Sequence, residues 1–172
     1  KPSPPVAAAP KPSPPVAAAP KPVQESEADL DLSKEQLNYF EKIELFGDMT
    51  QQQIINMVAM MAPSTLQPGQ FLFKQGDQGD NLYVVTMGRI EVVRDGRRLV
   101  TLGPGTVVGE LALLDGEIRS ASIRAEKLSR VVCLSKEELK VLEARDPDFG
   151  IKLYRNLSRI LAKRLRAASG RR

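Results

Sequence analysis

The sequence predicts a mainly β domain, a small β-barrel of the double-stranded β-helix or jelly-roll type with helices before and after it. Short apolar runs of strand length recur about every ten residues through the middle of the chain, a spacing typical of β-sandwiches and small barrels. Residues that favour turns separate these runs. On both sides of this region the apolar residues follow helical periodicity instead.

Two helices are predicted before the β region. Ser33 and Gln36 form a capping-box pattern, in which each side chain bonds the backbone N–H of the other residue. Apolar residues follow this pair at helical spacing. A second helix is expected to begin after Thr50 and to end before Pro63, because proline cannot continue a helix.

Six strands are predicted from apolar runs bounded by Gly, Pro and Asp. The dipeptide Asp95-Gly96 is favoured in two-residue hairpin turns, so the runs on its two sides are expected to pair. The six runs are Phe71–Phe73, Leu82–Val85, Ile90–Val93, Leu99–Leu102, Ala121–Ala125 and Arg130–Leu134.

Two further helices are predicted after the β region. Ser135 and Glu138 form another capping box, and Asp146 precedes Pro147, an order favoured at helix starts. The last helix is predicted to carry a basic face and an apolar face, which we expect to pack on the β region or to pair with a second copy. The apolar face consists of Leu153, Tyr154, Leu157, Ile160, Leu161 and Leu165.

The first 32 residues are predicted to be a disordered linker. The decapeptide KPSPPVAAAP occurs twice, and its prolines exclude a helix or a sheet core. The acidic residues 23–32 continue the linker. We therefore divide the chain into a linker at 1–32, one domain at 33–168 and a basic tail at 169–172. Because the chain begins with Lys rather than Met, we expect it to be a piece of a longer protein.

The residue types present exclude several functions. With no histidine, the chain has no imidazole base and no His-ligated metal, and Cys133 is the single cysteine. We expect Cys133 to be a small buried apolar residue and the chain to lie in the reducing cytoplasm. No apolar stretch is long enough for a membrane helix. The chain also has no nucleotide-binding loop of the Walker type, so we do not expect an enzyme.

The net charge of +4 is unevenly distributed. Basic residues without acidic ones follow Gly150, which leaves the preceding part of the chain net acidic. A basic surface over the body of the domain is therefore not expected, and neither is binding of nucleic acid by this chain alone.

The stretch Gly105–Ala125 contains a candidate anion site. Gly109 permits close backbone approach, and a helical turn beginning at Glu110 would direct unpaired N–H groups outward. Arg119 lies nine residues after Glu110, with the hydroxyl of Ser120 beside it. A ligand that carries both a phosphate and a sugar hydroxyl would satisfy the guanidinium and the carboxylate. The alternative is a surface ion pair, which contributes under about 1 kcal/mol.

This stretch resembles the phosphate-binding cassette of the cyclic nucleotide-binding domain family, with the pattern F-G-E-[LIV]-A-L followed by R-[ST]-A-[ST]. The chain reads Val108-Gly109-Glu110-Leu111-Ala112-Leu113 and then Arg119-Ser120-Ala121-Ser122. The upstream run from Gly76 to Val85 is similar to the family's early strands. The resemblance extends over about residues 33–168, nearly the whole predicted domain.

The resemblance implies a role for each residue of the motif. Glu110 would bind the ribose 2′-hydroxyl, Arg119 would pair with the cyclic phosphate, and Ser120 would donate a further bond to that phosphate. Backbone N–H groups near Leu111 and Ala112 would complete the cradle, with Gly109 and Ala121 in the same motif. The implied ligand is cAMP or cGMP, with no cofactor and no metal. Without ligand, we expect the Arg119 guanidinium to contact mainly water.

The base of the nucleotide is expected to meet the last helix. Arg164 lies in the part of that helix that reaches the base in family members, and its planar guanidinium can stack over a purine. The alternative for Arg164 is a solvated position on the basic helix face. Ser120 resembles the residue found in cAMP-responsive bacterial members, which favours cAMP over cGMP.

The sequence thus favours a regulatory sensor module that signals through its C-terminal helices to another domain or protein. One alternative is a nucleotide-independent scaffold that uses its helices for dimerisation or docking. Another is a relative that binds cyclic di-GMP. The 172 residues include no helix-turn-helix after the domain, so this chain alone is not expected to bind an operator.

Overall fold

A computed structural model of the chain describes residues 32–170, except for the side chain of Ala112. The predicted linker at 1–31 and the last two residues of the predicted tail lie outside the described residues. Leu32, which the sequence analysis placed in the linker, packs against the apolar core of the helices. Leu32 of the predicted linker thus contributes to the apolar packing of the helices.

The helices before the sheets are α1 (Lys34–Glu41) and α2 (Gln51–Met60), with a short 3₁₀ turn at Glu44–Phe46 between them. The predicted capping box of Ser33 is present and confirms the start of α1. A second capping box, at Thr50, begins α2. Local sequence chemistry therefore sets both helix starts.

Eight strands form two four-stranded antiparallel sheets. The first sheet has the order β1-β8-β3-β6 and the second has the order β2-β7-β4-β5. The described strands pair within these two sheets, so the fold is a jelly roll and not a continuously bonded barrel. The strands are β1 (Ala62–Leu66), β2 (Phe71–Phe73), β3 (Asn81–Met87), β4 (Ile90–Arg94), β5 (Arg97–Leu102), β6 (Val107–Val108), β7 (Ser122–Ala125) and β8 (Ser129–Ser135).

The six predicted strands are all present, and β1 and β6 were not predicted. β1 contains Pro63, which has no N–H to donate, and β1 lies at a sheet edge where this loss is tolerated. β6 has only two residues, too few to give a periodic signal. It leads directly into α3 (Glu110–Asp115), the helix of the predicted cassette.

Two apolar clusters stabilise the domain. One lies between the helices and the first sheet and includes Phe46, Leu134 and Leu153. The other lies between the two sheets and includes Ile90 and Val131. The helices are thus packed on the sheets by side chains that exclude water.

The helices after the sheets are α4 (Lys136–Arg145) and α5 (Pro147–Ala168). The predicted capping box at Ser135 begins α4, and the Asp146 side chain caps α5 immediately before Pro147. On α5, the buried Asn156 Nδ2 donates to the backbone oxygens of Leu45 at 2.9 Å and of Gly47 at 2.6 Å. These bonds fix the position of α5 relative to the 3₁₀ turn.

Only part of the predicted apolar face of α5 is buried against the domain. Leu153, Leu157 and Ile160 are buried, whereas Tyr154 and Leu165 are exposed. Successive residues of a helix are about 100° apart, so Tyr154 faces well away from Leu153. The six apolar residues span an arc of about 140°, and the domain covers only the half of it that carries Leu153, Leu157 and Ile160.

Candidate functional site

The site is built around the junction between β6 and α3. Gly109 makes this junction with a φ of 82°, in the left-handed region that favours glycine. A Cβ at this position would lie 2.7 Å from Arg119 Nη1 and 2.8 Å from the backbone oxygen of Asn81. The junction therefore requires glycine both for its backbone conformation and for the space beside it.

Arg119 is buried against this junction, with only 4% of its surface exposed. Its Nη1 donates to the oxygen of Gly109 at 2.8 Å, and its Nη2 donates to the oxygen of Asn81 at 3.0 Å. The guanidinium carbon lies 4.2 Å from the centre of the Phe73 ring. The expectation that Arg119 contacts mainly water is therefore wrong.

The reason for this burial is a long-range backbone contact. The N–H of Arg119 donates to the oxygen of Asp77 at 2.8 Å, and the N–H of Gly76 donates to the oxygen of Arg119 at 2.9 Å. These bonds join the loop that follows α3 to the turn between β2 and β3. The side chain of Arg119 is thereby directed between that turn and Gly109.

The positive charge of Arg119 has no paired carboxylate among residues 32–170. Its described partners are carbonyl oxygens, and its buried Nε has no hydrogen-bond partner. Burial lowers the pKa of Arg119 from its ordinary value, while nearby anionic groups, including Asp80 and Glu110, act in the opposite direction at longer range. An arginine remains protonated in proteins, so this site holds a desolvated cation.

Glu110, the first residue of α3, is also 4% exposed. Its carboxylate pairs with Arg164 Nη1, and Arg164 Nη2 donates to the backbone oxygen of Val107. The side chain of Arg164 therefore connects the last turns of α5 to the cassette. The sequence analysis placed Arg164 at the base of a nucleotide; the structure places it on the predicted ribose contact.

The remaining predicted residues lie around this centre. Leu111 and Ala112 form the first turn of α3, and the Leu111 side chain is 41% exposed. Ser120 is exposed, and its backbone oxygen accepts from Arg94 Nε at 3.1 Å. Ala121 is buried and begins the return into the second sheet. Gly109, Glu110 and Arg119 are thus in direct contact or adjacent, with Ser120 next to them in the chain.

Three residues around Arg119 were missed by the sequence analysis: Phe73, Asn81 and Tyr83. Tyr83 is buried, and this burial raises the pKa of its hydroxyl. Its ring centre lies 5.9 Å from the guanidinium carbon of Arg119. These residues lie at the ends of β2 and β3, on the two sides of the glycine-rich turn that precedes β3. Their nearness to this turn in the sequence is the signal that could have identified them.

The fold and the site together define a jelly-roll domain with an enclosed cationic centre and a neighbouring carboxylate. Residues 63–146 match the family model described as the cyclic nucleotide-binding domain. The chain belongs to the cyclic nucleotide-binding domain family.

Solved structures support this assignment. A cyclic nucleotide-binding domain from Methylobacillus flagellatus is 29% identical with a TM-score of 0.72, and the match covers 78% of this chain and 79% of that one. The catabolite activator protein of Thermus thermophilus is 33% identical with a TM-score of 0.65, over 73% of this chain and 60% of that one.

Curated relatives include channel subunits. The alpha subunit of the rod photoreceptor cyclic nucleotide-gated channel of Gallus gallus is 29% identical over 135 residues, which are 74% of this chain and 21% of the relative. The human cyclic nucleotide-gated channel alpha-3 is 31% identical over 111 residues, which are 60% of this chain and 16% of the relative. The chain thus spans about a fifth or less of these relatives. Between residues 32 and 170, no helix has the length and apolar character needed to cross a membrane.

Proposed function

We propose that this chain is a non-catalytic sensor module that binds a cyclic nucleotide, cAMP in preference to cGMP, at the Gly109–Ser120 cassette. The observation that carries the proposal is the buried Arg119, a cation that is held by carbonyl oxygens and that has no paired anion within residues 32–170. A buried charge is costly unless an opposite charge compensates it. A phosphate would supply that charge and would give the unpartnered Nε an acceptor.

The neighbouring groups fit the rest of a cyclic nucleotide. We assign the phosphate to Arg119, the hydroxyl of Ser120 and the N–H groups of Leu111 and Ala112. The ribose 2′-hydroxyl is assigned to the carboxylate of Glu110, an acceptor that strengthens such a bond by its charge. The resemblance of the whole motif to the family pattern supports this assignment.

The signal is proposed to leave through α5. Glu110 is the partner of Arg164 in the described structure, so a ribose hydroxyl and Arg164 compete for one carboxylate. A ligand shifts a conformational equilibrium only by its different affinities for the two states. Release of Arg164 supplies such a difference, and it frees the last turns of α5 to contact a neighbouring domain or protein.

A specific observation favours a second candidate, the nucleotide-independent scaffold. The Glu110–Arg164 pair satisfies the carboxylate within the chain itself, without any ligand. In that case α5 would remain closed over the cassette and the domain would act through its helices alone. The buried and unpaired Arg119 favours the sensor over this scaffold.

The names of the similar proteins support the sensor, since they describe a cyclic nucleotide-binding domain and cyclic nucleotide-gated channels. We place the module in the cytoplasm, where cyclic nucleotides act as messengers. The role proposed here is that of this domain alone.

Calorimetric titration of the full chain with cAMP, cGMP and cyclic di-GMP tests the proposal. We expect saturable binding of cAMP, weaker binding of cGMP and no binding of cyclic di-GMP. Arg130→Ala, which removes an exposed arginine from β8, serves as the control and should bind as the wild type does. Absence of binding to both cyclic mononucleotides would leave the scaffold as the function.

A further inference from the structure

Four hydroxyl side chains in the described part of the chain have an arginine three residues before them. They are Thr101, Ser122, Ser158 and Ser169. A basic residue at a fixed distance before a hydroxyl is a charge pattern by which protein kinases select their substrates. For Ser169 the pattern is longer, because Arg164 lies five residues before it and Arg166 lies three residues before it.

The structure makes three of these hydroxyls poor substrates. A kinase binds the residues around the acceptor hydroxyl in an extended form, so a segment inside a helix or a sheet must first unfold. Thr101 and Ser122 lie in strands, and the Ser122 Oγ accepts from the N–H of Gln75 at 2.8 Å. Ser158 lies in the middle of α5, next to the buried Leu157. Unfolding at these positions would disrupt the sheets or the apolar core.

Ser169 differs from the other three because α5 ends there. It is the C-cap residue of the helix, and Gly170 follows it with a φ of 63°, in the left-handed region where helices commonly stop. Residues 165–170 are all exposed, and Arg164 bonds this end of the helix to the cassette. Presentation of Ser169 in an extended form therefore requires only an exposed last turn to unwind.

We propose that Ser169 is a phosphorylation site and that its phosphate takes Arg164 from Glu110. In the transfer, the Ser169 hydroxyl attacks the γ-phosphorus of ATP bound to a protein kinase that selects basic residues. The new O–P bond replaces the bond to the β-phosphate oxygen, ADP leaves, and the hydroxyl proton passes to a base of the kinase. The effect on nucleotide affinity rests on the proposed function, whereas the modification itself does not.

The phosphate destabilises the end of α5. It adds a charge of about −1.5 to −2 at pH 7. The last carbonyl groups of a helix carry partial negative charge, so they repel an anion at the C-cap. Unwinding of the last turn relieves this repulsion and allows the phosphate to approach the arginines that precede it.

Arg164 is the arginine whose capture changes the cassette. Its side chain is 38% exposed, so a phosphate on the same helix can reach it from solvent while Glu110 holds it from the buried side. A phosphate has about twice the charge of a carboxylate and three acceptor oxygens, so it competes well for the planar guanidinium. Arg166, three residues before Ser169, adds a second cation for the phosphate. Glu110 is then free to accept from the ribose hydroxyl.

Treatment of the full chain with ATP and a purified kinase that selects arginine three and five residues before the hydroxyl tests the site. We expect a single phosphate by intact mass, located on Ser169 by peptide mapping. Ser169→Ala should abolish it. Ser158→Ala is the matched control, since Ser158 has the same arginine three residues before it, and this variant should be phosphorylated as the wild type is. No incorporation, or incorporation mainly at another hydroxyl, would overturn the assignment.

Calorimetric titration tests the capture of Arg164, in a full chain phosphorylated on Ser169 by ligation of a synthetic phosphopeptide, which needs no kinase. We expect the phosphate to raise the affinity for cAMP severalfold and by no more than Arg164→Ala does. In Arg164→Ala the phosphate should add no further gain, whereas in Arg166→Ala the gain should remain. No gain in the wild type, or a gain that persists in Arg164→Ala, contradicts the capture.

Hydrogen exchange distinguishes failure of this proposal from failure of the nucleotide site. Without any nucleotide, phosphorylation of Ser169 should speed amide exchange over residues 163–170, because the last turn unwinds. A chain that binds no cAMP but shows this change would disprove the sensor and support the phosphate switch. A chain that binds cAMP, but whose affinity and amide exchange do not respond to the phosphate, would disprove the switch alone.

Discussion

Two arginines meet the cassette from opposite sides, and their surroundings differ. Arg119 belongs to the sheet domain, is 4% exposed and bonds only neutral carbonyl oxygens among the described residues. Arg164 comes from α5, has a side chain that is 38% exposed and pairs with a carboxylate. The Arg164 end of this pair is open to solvent, whereas the Glu110 carboxylate is buried, so Arg164 can leave the pair when another donor reaches the carboxylate. The buried Arg119 is fixed and has no paired anion in the part of the chain that the structure describes, whereas the half-exposed Arg164 is paired and can be released.

Replacement of Arg119, the buried cation, should cause the largest loss of nucleotide affinity. Loss of one member of a buried charged pair costs about 2–5 kcal/mol, and each 1.4 kcal/mol is about tenfold in affinity. Arg119→Ala should therefore weaken cAMP binding by roughly thirtyfold to several thousandfold. Arg119→Lys should restore part of this loss, because lysine keeps the charge but not the planar fork. Unchanged titration curves for Arg119→Ala would show that the phosphate is not bound here.

The same variant should also lower the stability of the ligand-free protein. The expectation from sequence was a small change, but the side chain bonds two buried backbone oxygens and covers Phe73. We expect chemical denaturation to show a net loss of up to about 1–3 kcal/mol, because two buried carbonyl oxygens are left unpaired while removal of the uncompensated charge offsets part of that cost. An unfolding free energy equal to that of Arg130→Ala would mean that Arg119 is solvated.

A substitution of Gly109, at the junction between β6 and α3, should also lower stability by disturbing Arg119. Gly109→Ala would place a Cβ 2.7 Å from Arg119 Nη1 in a backbone with a φ of 82°. Gly96 has a φ of 74°, and a Cβ added there would meet no atom within 4 Å, so Gly96→Ala carries the backbone cost alone. We expect Gly109→Ala to lower the free energy of unfolding by about 1–3 kcal/mol more than the control does, the usual cost of forcing an extra methyl group into filled space. Equal losses of unfolding free energy in Gly109→Ala and Gly96→Ala would show that the space beside Gly109 is not filled.

The reactivity of the Cys133 thiol indicates how far water reaches the surroundings of Arg119. It pairs with Tyr83 across β3 and β8, and burial raises the pKa of its thiol from 9.0 to about 11. The folded state holds this proton more tightly, so its stabilising contribution is complete below pH 9 and is lost as the pH rises towards 11.

Alkylation with iodoacetamide measures this effect, since only the thiolate reacts. At pH 8 we expect the folded chain to react more slowly than the chain in denaturant. The difference should narrow as the pH rises towards 11. Equal rates at pH 8 would show that water reaches this side of the site.

Local chemistry made much of the fold predictable. The capping boxes at Ser33 and Ser135 and the Asp146-Pro147 pair are satisfied within four residues, so their structures follow from short sequences. The order of Glu110 and Arg119 in the motif likewise predicted that both belong to one site. The two-residue β6 carries no such signal.

The contacts that were not predicted depend on distant residues. Burial of Arg119 requires its loop to bond the backbone of Asp77, which the motif does not encode. The position of Arg164 depends on the rotation of α5, and Asn156 fixes that rotation through Leu45, a residue 111 positions earlier. The same rotation decides which apolar residues of α5 are buried. Periodicity alone therefore could not distinguish the apolar residues that are buried from those that are exposed.

The central claim is that a cyclic nucleotide takes Glu110 from Arg164. Binding of cAMP and of 2′-deoxy-cAMP to the wild type and to Arg164→Ala tests it directly, since the deoxy ligand has no hydroxyl for Glu110. We predict that Arg164→Ala binds cAMP at least about fivefold more tightly, since an exposed ion pair contributes up to about 1 kcal/mol and the Glu110 end of this pair is buried, and that its affinity for 2′-deoxy-cAMP is unchanged. Weaker binding of both ligands by Arg164→Ala would contradict the claim, because Arg164 would then hold the nucleotide instead of competing with it.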